Sequence, residues 1–192
     1  MHDSVHDLKK ETTPTVYQSL IDDLAPPVII YRPSNSFSSI AWNIWHITRI
    51  EDAISNIMIA DTEQILNKEW LDKLNITITD TGNAFTEQDV DTFGRMIDTN
   101  ELFKYRKAVG RNTQKIIKTL QAADRKRKPT KEQLDRIIKE KVLTKEKESI
   151  WLLDFWAGKT ISGLLTMPIT RHQIVHINDC LKLKEKYKRD FV

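Results

Sequence analysis

Apolar residues along this chain recur at intervals of three and four, the spacing of helices that bury one face. Val16, Tyr17, Leu20, Ile21 and Leu24 predict a first helix, with Thr13 as its N-cap and Pro14 at its first position. The run APPVIIYRPSNSFSS then predicts a connector, with an extended piece over 28–31. A second helix is expected from Ser38 or Ser39 to about Ala60. Beyond it Asp61, Thr62 and Asn67 loosen the pattern, and NITITDTGNAF predicts a loop containing a short strand. TEQDVDTFGRMI predicts a short helix capped by Thr86.

A long helix is expected over 99–122, with Leu102, Phe103, Val109, Ile116, Ile117 and Leu120 inward. DRKRKPT breaks it. Thr130 with Gln133 has the spacing of a capping box and opens a short helix to about Lys141. Residues 151–156 form an apolar turn or short helix, stopped by Gly158. The last helix is expected to start at Thr166–Pro168 and to end near Tyr187. The expected fold is all-α: four long helices with long crossover connections and extra short helices, in a single domain over 1–192.

Composition narrows the function. Of 192 residues 40% are hydrophobic and 30% charged, and the net charge is only +3, which does not call for nucleic acid. The basic run RKRKPTK, Arg125 to Lys131, lacks interleaved aromatics and is expected to be a solvated loop. A lone Cys180 excludes a disulfide or thiolate zinc cluster within one chain. No run is long and apolar enough to span a membrane, and the N-terminus shows no secretory pattern, so no membrane partner is expected and the expected compartment is the cytoplasm. The Lys- and Ile-rich composition fits an AT-rich bacterial genome.

The candidate chemistry lies in the histidines. In AWNIWHITRIEDAISNIMIA, residues Trp42, His46, Ile50, Ala53, Ile57 and Ala60 share one stripe, with Ile44, Thr48, Glu51 and Ser55 opposite. Alone, His46 reads as a core histidine bonded to a backbone carbonyl. In PITRHQIVHINDC, His172 and His176 stand one turn apart on the last helix. Two imidazoles at that spacing reach one ion, and Gln173 replaces the glutamate of a HExxH protease. A third histidine from a facing helix would leave a fourth coordination position for water or substrate.

SIAWNIWHITRIEDA and, some 120 residues later, RHQIVHINDC resemble the DinB/YfiT-like family. The resemblance implies a four-helix bundle with a metal-binding triad of His46, His172 and His176. It also implies kinship with thiol S-transferases and isomerases that use bacillithiol, mycothiol or glutathione. Nitrogen-only ligation points to Ni²⁺ or Zn²⁺. The expectation is a metal-dependent thiol S-transferase acting on small electrophiles. The alternative is a non-catalytic, stress-related metal-binding bundle.

Around the triad, Asp179 is either an acceptor for an imidazole or a solvated carboxylate, and Cys180 is a packed core thiol. Trp42 and Asn43 could wall the metal's open position, though Trp42 also reads as plain core. Arg49 and Arg171 could hold a cofactor carboxylate or be merely solvated. His2 and His6 fall in a polar terminus and are discounted. Apolar faces such as Ile44 with Met58, or Ile174 with Leu181, need cover, either from a homodimer partner or from the 151–156 segment.

Overall fold

The structure, a computed structural model, describes residues 16–21, 24–34 and 36–191. Among them every regular element is helical. The first helix is described as α1, Val16–Ile21. The expected Thr13–Pro14 cap, His2 and His6 lie outside the described residues.

The connector holds a short helix, α2, Pro26–Ile30, where an extended piece was expected. Proline at its first positions loses no helical hydrogen bond, and Val28 and Ile29 are buried. The second long helix, α3, Ile40–Ala53, is capped by Ser39 and continues in π-helical turns over Ile54–Ala60. Every residue from Ile40 to Ile59 is buried. The stripe and its opposite side are therefore both interior, and each polar side chain on α3 needs a partner inside the protein.

Those partners define the packing. Asp52 accepts from Arg49 at 2.9 Å, from Tyr105 Oη at 2.6 Å, and from the backbone N–H of Ile65 and Leu66. Arg49 is thus wholly buried in a structural ion pair and is neither solvated nor free to hold a ligand. Thr113 donates to Ser55 at 2.9 Å, and Gln173 donates to Glu51 while accepting from Arg106 at 3.0 Å.

The 61–67 segment leads to an unforeseen helix, α4, Lys68–Leu74, capped by Asn67. Residues 76–85 form no strand. The short helix α5, Glu87–Met96, has a full capping box between Thr86 and Asp89. The long helix α6, Thr99–Thr119, packs on α3. Of its expected inward residues, Leu102 and Val109 are fully buried, while Phe103, Ile116, Ile117 and Leu120 are half-buried.

The capping box of Thr130 and Gln133 opens α7, Lys131–Lys139. In the basic run before it, Arg127 turns inward and donates to the carbonyls of Met58 and Ile59. A cation there suits the negative end of α3, so this arginine has a structural role. The segment 151–156 belongs to α8, Lys147–Ala157.

The last helix starts earlier than expected. Thr160 caps α9, Ile161–Thr166, which runs through a π-helical turn, Met167–Arg171, into α10, His172–Phe191. Pro168 lies within this run rather than at its start. Proline cannot fit an α-helical ladder, and a widened turn is one way to pass through it. Thr170 Oγ1 donates to the Leu165 carbonyl at 2.7 Å, satisfying one acceptor in the turn.

α3 packs against both α6 and α10, and α1 packs against α10. Tyr17 of α1 also meets α6, with the Arg106 guanidinium 4.9 Å from its ring centroid. Ile44 and Met58 are fully buried within this one chain, so they require no partner, and they are not covered by exposed surface of a second copy. Ile174 and Leu181 are half-buried against the core.

Candidate metal centre

Three histidines from two helices meet between α3 and α10. His46, His172 and His176 each offer a ring nitrogen, and these nitrogens all lie within 4.8 Å of one another. The family resemblance had named the same three residues. They are the group of this kind that the described residues contain.

The hydrogen bonds fix which nitrogen each ring presents. His46 Nδ1 lies 2.7 Å from the Thr81 carbonyl, so this nitrogen carries the proton and donates. Nε2 is left with the lone pair. Asn43 Nδ2 donates to the Ser39 carbonyl at 2.8 Å, which orients its amide. Asn43 Oδ1 therefore faces His176 Nδ1 at 2.6 Å, and His176 too is protonated on Nδ1. His176 Nε2 in turn approaches His172 Nε2 at 3.0 Å. The Nε2 atoms of His46 and His176 thus bring lone pairs into a shared space.

Metal chemistry fits this set. With metal–nitrogen bonds near 2.0–2.1 Å, tetrahedral ligand nitrogens stand about 3.3 Å apart. The 3.0 Å pair is already close to that spacing. The remaining separations, none above 4.8 Å, need to close by no more than about 1.5 Å. A bound ion would require a lone pair on all three Nε2 atoms, placing the His172 proton on Nδ1. That atom is buried and has no hydrogen-bond partner among the described residues.

The site keeps its imidazoles neutral. Burial pushes His172 down to about 3 and His176 down to about 4; the nearby Asp179 carboxylate pulls His176 slightly back up. His46 is well below its ordinary value, through burial first and then through His176 and His172. Neutral imidazole is the form that ligates.

The flanking residues sort differently from expectation. The acceptor for an imidazole is Asn43, not Asp179. Asp179 pairs with Lys182 at 2.8 Å and is part-exposed. Trp42 stacks on His46 with ring centroids 4.8 Å apart and planes 9° from parallel, so it is both core and wall of the site. Arg171 is exposed. Cys180 is buried in the core, and burial pushes its thiol pKa up, as a packed thiol requires.

Sequence reasoning missed the segment 79–82. Four successive carbonyls there accept side-chain donors from α3: Thr79 from Arg49, Asp80 from Trp45, Thr81 from His46 and Gly82 from Trp42, at 2.7–3.1 Å. Gly82 makes this possible. Its φ is +72°, and a Cβ would sit 2.9 Å from Trp42 Nε1. The glycine and the helical spacing of the donors were visible, but nothing local linked them.

Beside His46 and His172 lies a cavity of about 130 Å³, with Ile50, Leu152, Trp156 and Pro168 among its walls. No protein-family model matches the chain, and no match to it is found among curated proteins.

Proposed function

We propose that the chain is a metal-dependent enzyme of the DinB/YfiT type, a thiol S-transferase acting on small electrophiles. The observation that carries the metal reading is the convergence of the histidine nitrogens, with Nδ1 of His46 and His176 held by Thr81 and Asn43. The pairwise packing of α1, α3, α6 and α10 supports a four-helix bundle of that family.

Catalysis is favoured over a purely structural site by the missing fourth ligand. Among the described residues no carboxylate or thiol joins the triad, and Asp179 is engaged by Lys182. A bound Ni²⁺ or Zn²⁺ would supply Lewis acidity at an open position, favouring the thiolate form of an exogenous thiol at neutral pH. The protein's part is to hold the imidazoles neutral and aimed, and to exclude water with Trp42, Ile50 and Trp156. In the reaction assigned, a sulfur–carbon bond forms as the carbon–leaving-group bond breaks, and the thiol proton passes to solvent. The thiol is bacillithiol, mycothiol or glutathione by family resemblance.

The test is turnover of metal-loaded protein with each of these thiols, and with cysteine, against a chlorodinitrobenzene-type acceptor and monochlorobimane. At least one thiol is expected to react faster than with the variant carrying alanine at all three histidines. Rates equal to that variant for every thiol would remove the transferase reading and favour the non-catalytic, stress-related bundle.

A further inference from the structure

We infer that the cavity beside the triad is the acceptor pocket, and that it selects an uncharged, ring-sized apolar molecule bearing a hydrogen-bond acceptor. This deepens the metal-dependent reading above and rests on it for the word acceptor. Three observations carry the inference.

Size comes first. The volume of about 130 Å³ is close to that of engineered apolar cavities of about 150 Å³ that take one benzene ring. Shape agrees. Trp151, Phe155 and Met167 complete the lining, giving flat aromatic faces and one adaptable thioether. Trp151 and Phe155 are partly exposed, 50% and 37%, so they form the mouth through which a ligand passes.

Charge comes second. No lysine, arginine, aspartate or glutamate is among the residues lining the cavity. Lys159 stacks on the Phe155 ring at 3.9 Å but is not part of the lining. In the metal-free protein a carboxylate or ammonium carried inside would lose its hydration with no counter-ion to replace it.

The polar inventory comes third. Apart from the two histidines and the indole N–H groups of Trp151 and Trp156, of which Trp151 donates to the Glu148 carbonyl, Asn83 is the one side chain of the lining with a nitrogen or oxygen atom. Thr81 Oγ1 donates to Asn83 Oδ1 at 2.8 Å, occupying the acceptor. The Asn83 amide N–H groups donate to no acceptor among the described residues, and the residue lines the cavity, which leaves them available to a ligand. A ligand carbonyl, nitro or ether oxygen matches them.

The experiment is calorimetric titration of the full chain, metal-free and metal-loaded, with four ring-matched probes: toluene, acetophenone, benzoate and benzylammonium. In the metal-free protein, acetophenone is expected to bind at least about 10-fold more tightly than benzoate or benzylammonium. Asn83→Ala is expected to weaken acetophenone about 5-fold and to leave toluene unchanged. Phe155→Arg, at a part-exposed position, is expected to shift preference toward benzoate by about 5-fold or more. Benzoate binding the metal-free wild type as tightly as acetophenone would overturn the inference, as would acetophenone binding unaffected by Asn83→Ala. The predicted selectivity in a protein that turns over no thiol would uphold the pocket and remove the transferase reading instead.

Discussion

At the residue scale, the site depends on what holds the far side of each imidazole. Asn43 is held by its own helix through Ser39 and orients His176 from the other helix. Groups in this position typically change metal affinity 10- to 100-fold when removed. Asn43→Ala is therefore expected to weaken Zn²⁺ binding about 10-fold or more, with an unchanged helical spectrum. Unchanged affinity would mean that the amide does not set the tautomer.

The depressed imidazoles also set a pH dependence for the metal-free protein. Unfolded histidine titrates near 6.5. As pH falls below that value, the unfolded chain takes up protons that the folded triad refuses, so stability falls. The loss from His176 and His172 ends as the folded groups themselves protonate, near about 4 and about 3. Each histidine contributes up to about 1.4 kcal/mol per pH unit in that window. Urea midpoints from pH 7 to 4.5 are expected to drop more steeply for wild type than for a His172→Phe/His176→Phe variant. Parallel curves would refute the depression. The same neutrality should keep metal bound somewhat below pH 6, where free imidazole would already compete for protons.

At the scale of elements, local signals were legible and distant ones were not. The capping box at Thr130 and the cap at Thr86 involve residues three apart, and both helices start there. The pattern predicts an extended piece where the short helix Pro26–Ile30 stands, because three prolines outweigh a single apolar turn. Pro168 predicts a helix start because proline favours that position. Its π-helical turn instead joins α9 to α10 directly ahead of His172. Nor could the sequence disclose the carbonyl row at 79–82, whose partners lie 30 to 40 residues away on α3. Gly82 tests that row. Gly82→Ala combines an unfavourable φ of +72° with a clash against Trp42, and is expected to cost about 1–3 kcal/mol by denaturant unfolding. A stability loss below about 0.5 kcal/mol would mean that the loop relaxes without strain.

At the scale of the whole molecule, helical periodicity announced the all-helical fold, while the burial of α3 on every side exceeded what its single stripe implied. Its polar residues have buried partners that the sequence does not reveal: Thr113 for Ser55, Gln173 for Glu51, and Tyr105 beside Arg49 and Asp52. The pair His172 and His176 is legible from its own spacing, whereas His46, 126 positions earlier, joins it only through the expected bundle and the family resemblance. Packing of α3 on α10 closes that gap. The central claim is that this packing makes one metal site. The most direct measurement is titration of Zn²⁺ and Ni²⁺ into untagged, metal-free protein, wild type and with each triad histidine replaced by alanine in turn. The wild type is expected to bind one ion per chain, and each replacement to weaken binding by about 100-fold or more. Undiminished stoichiometry and affinity in His46→Ala would contradict the account.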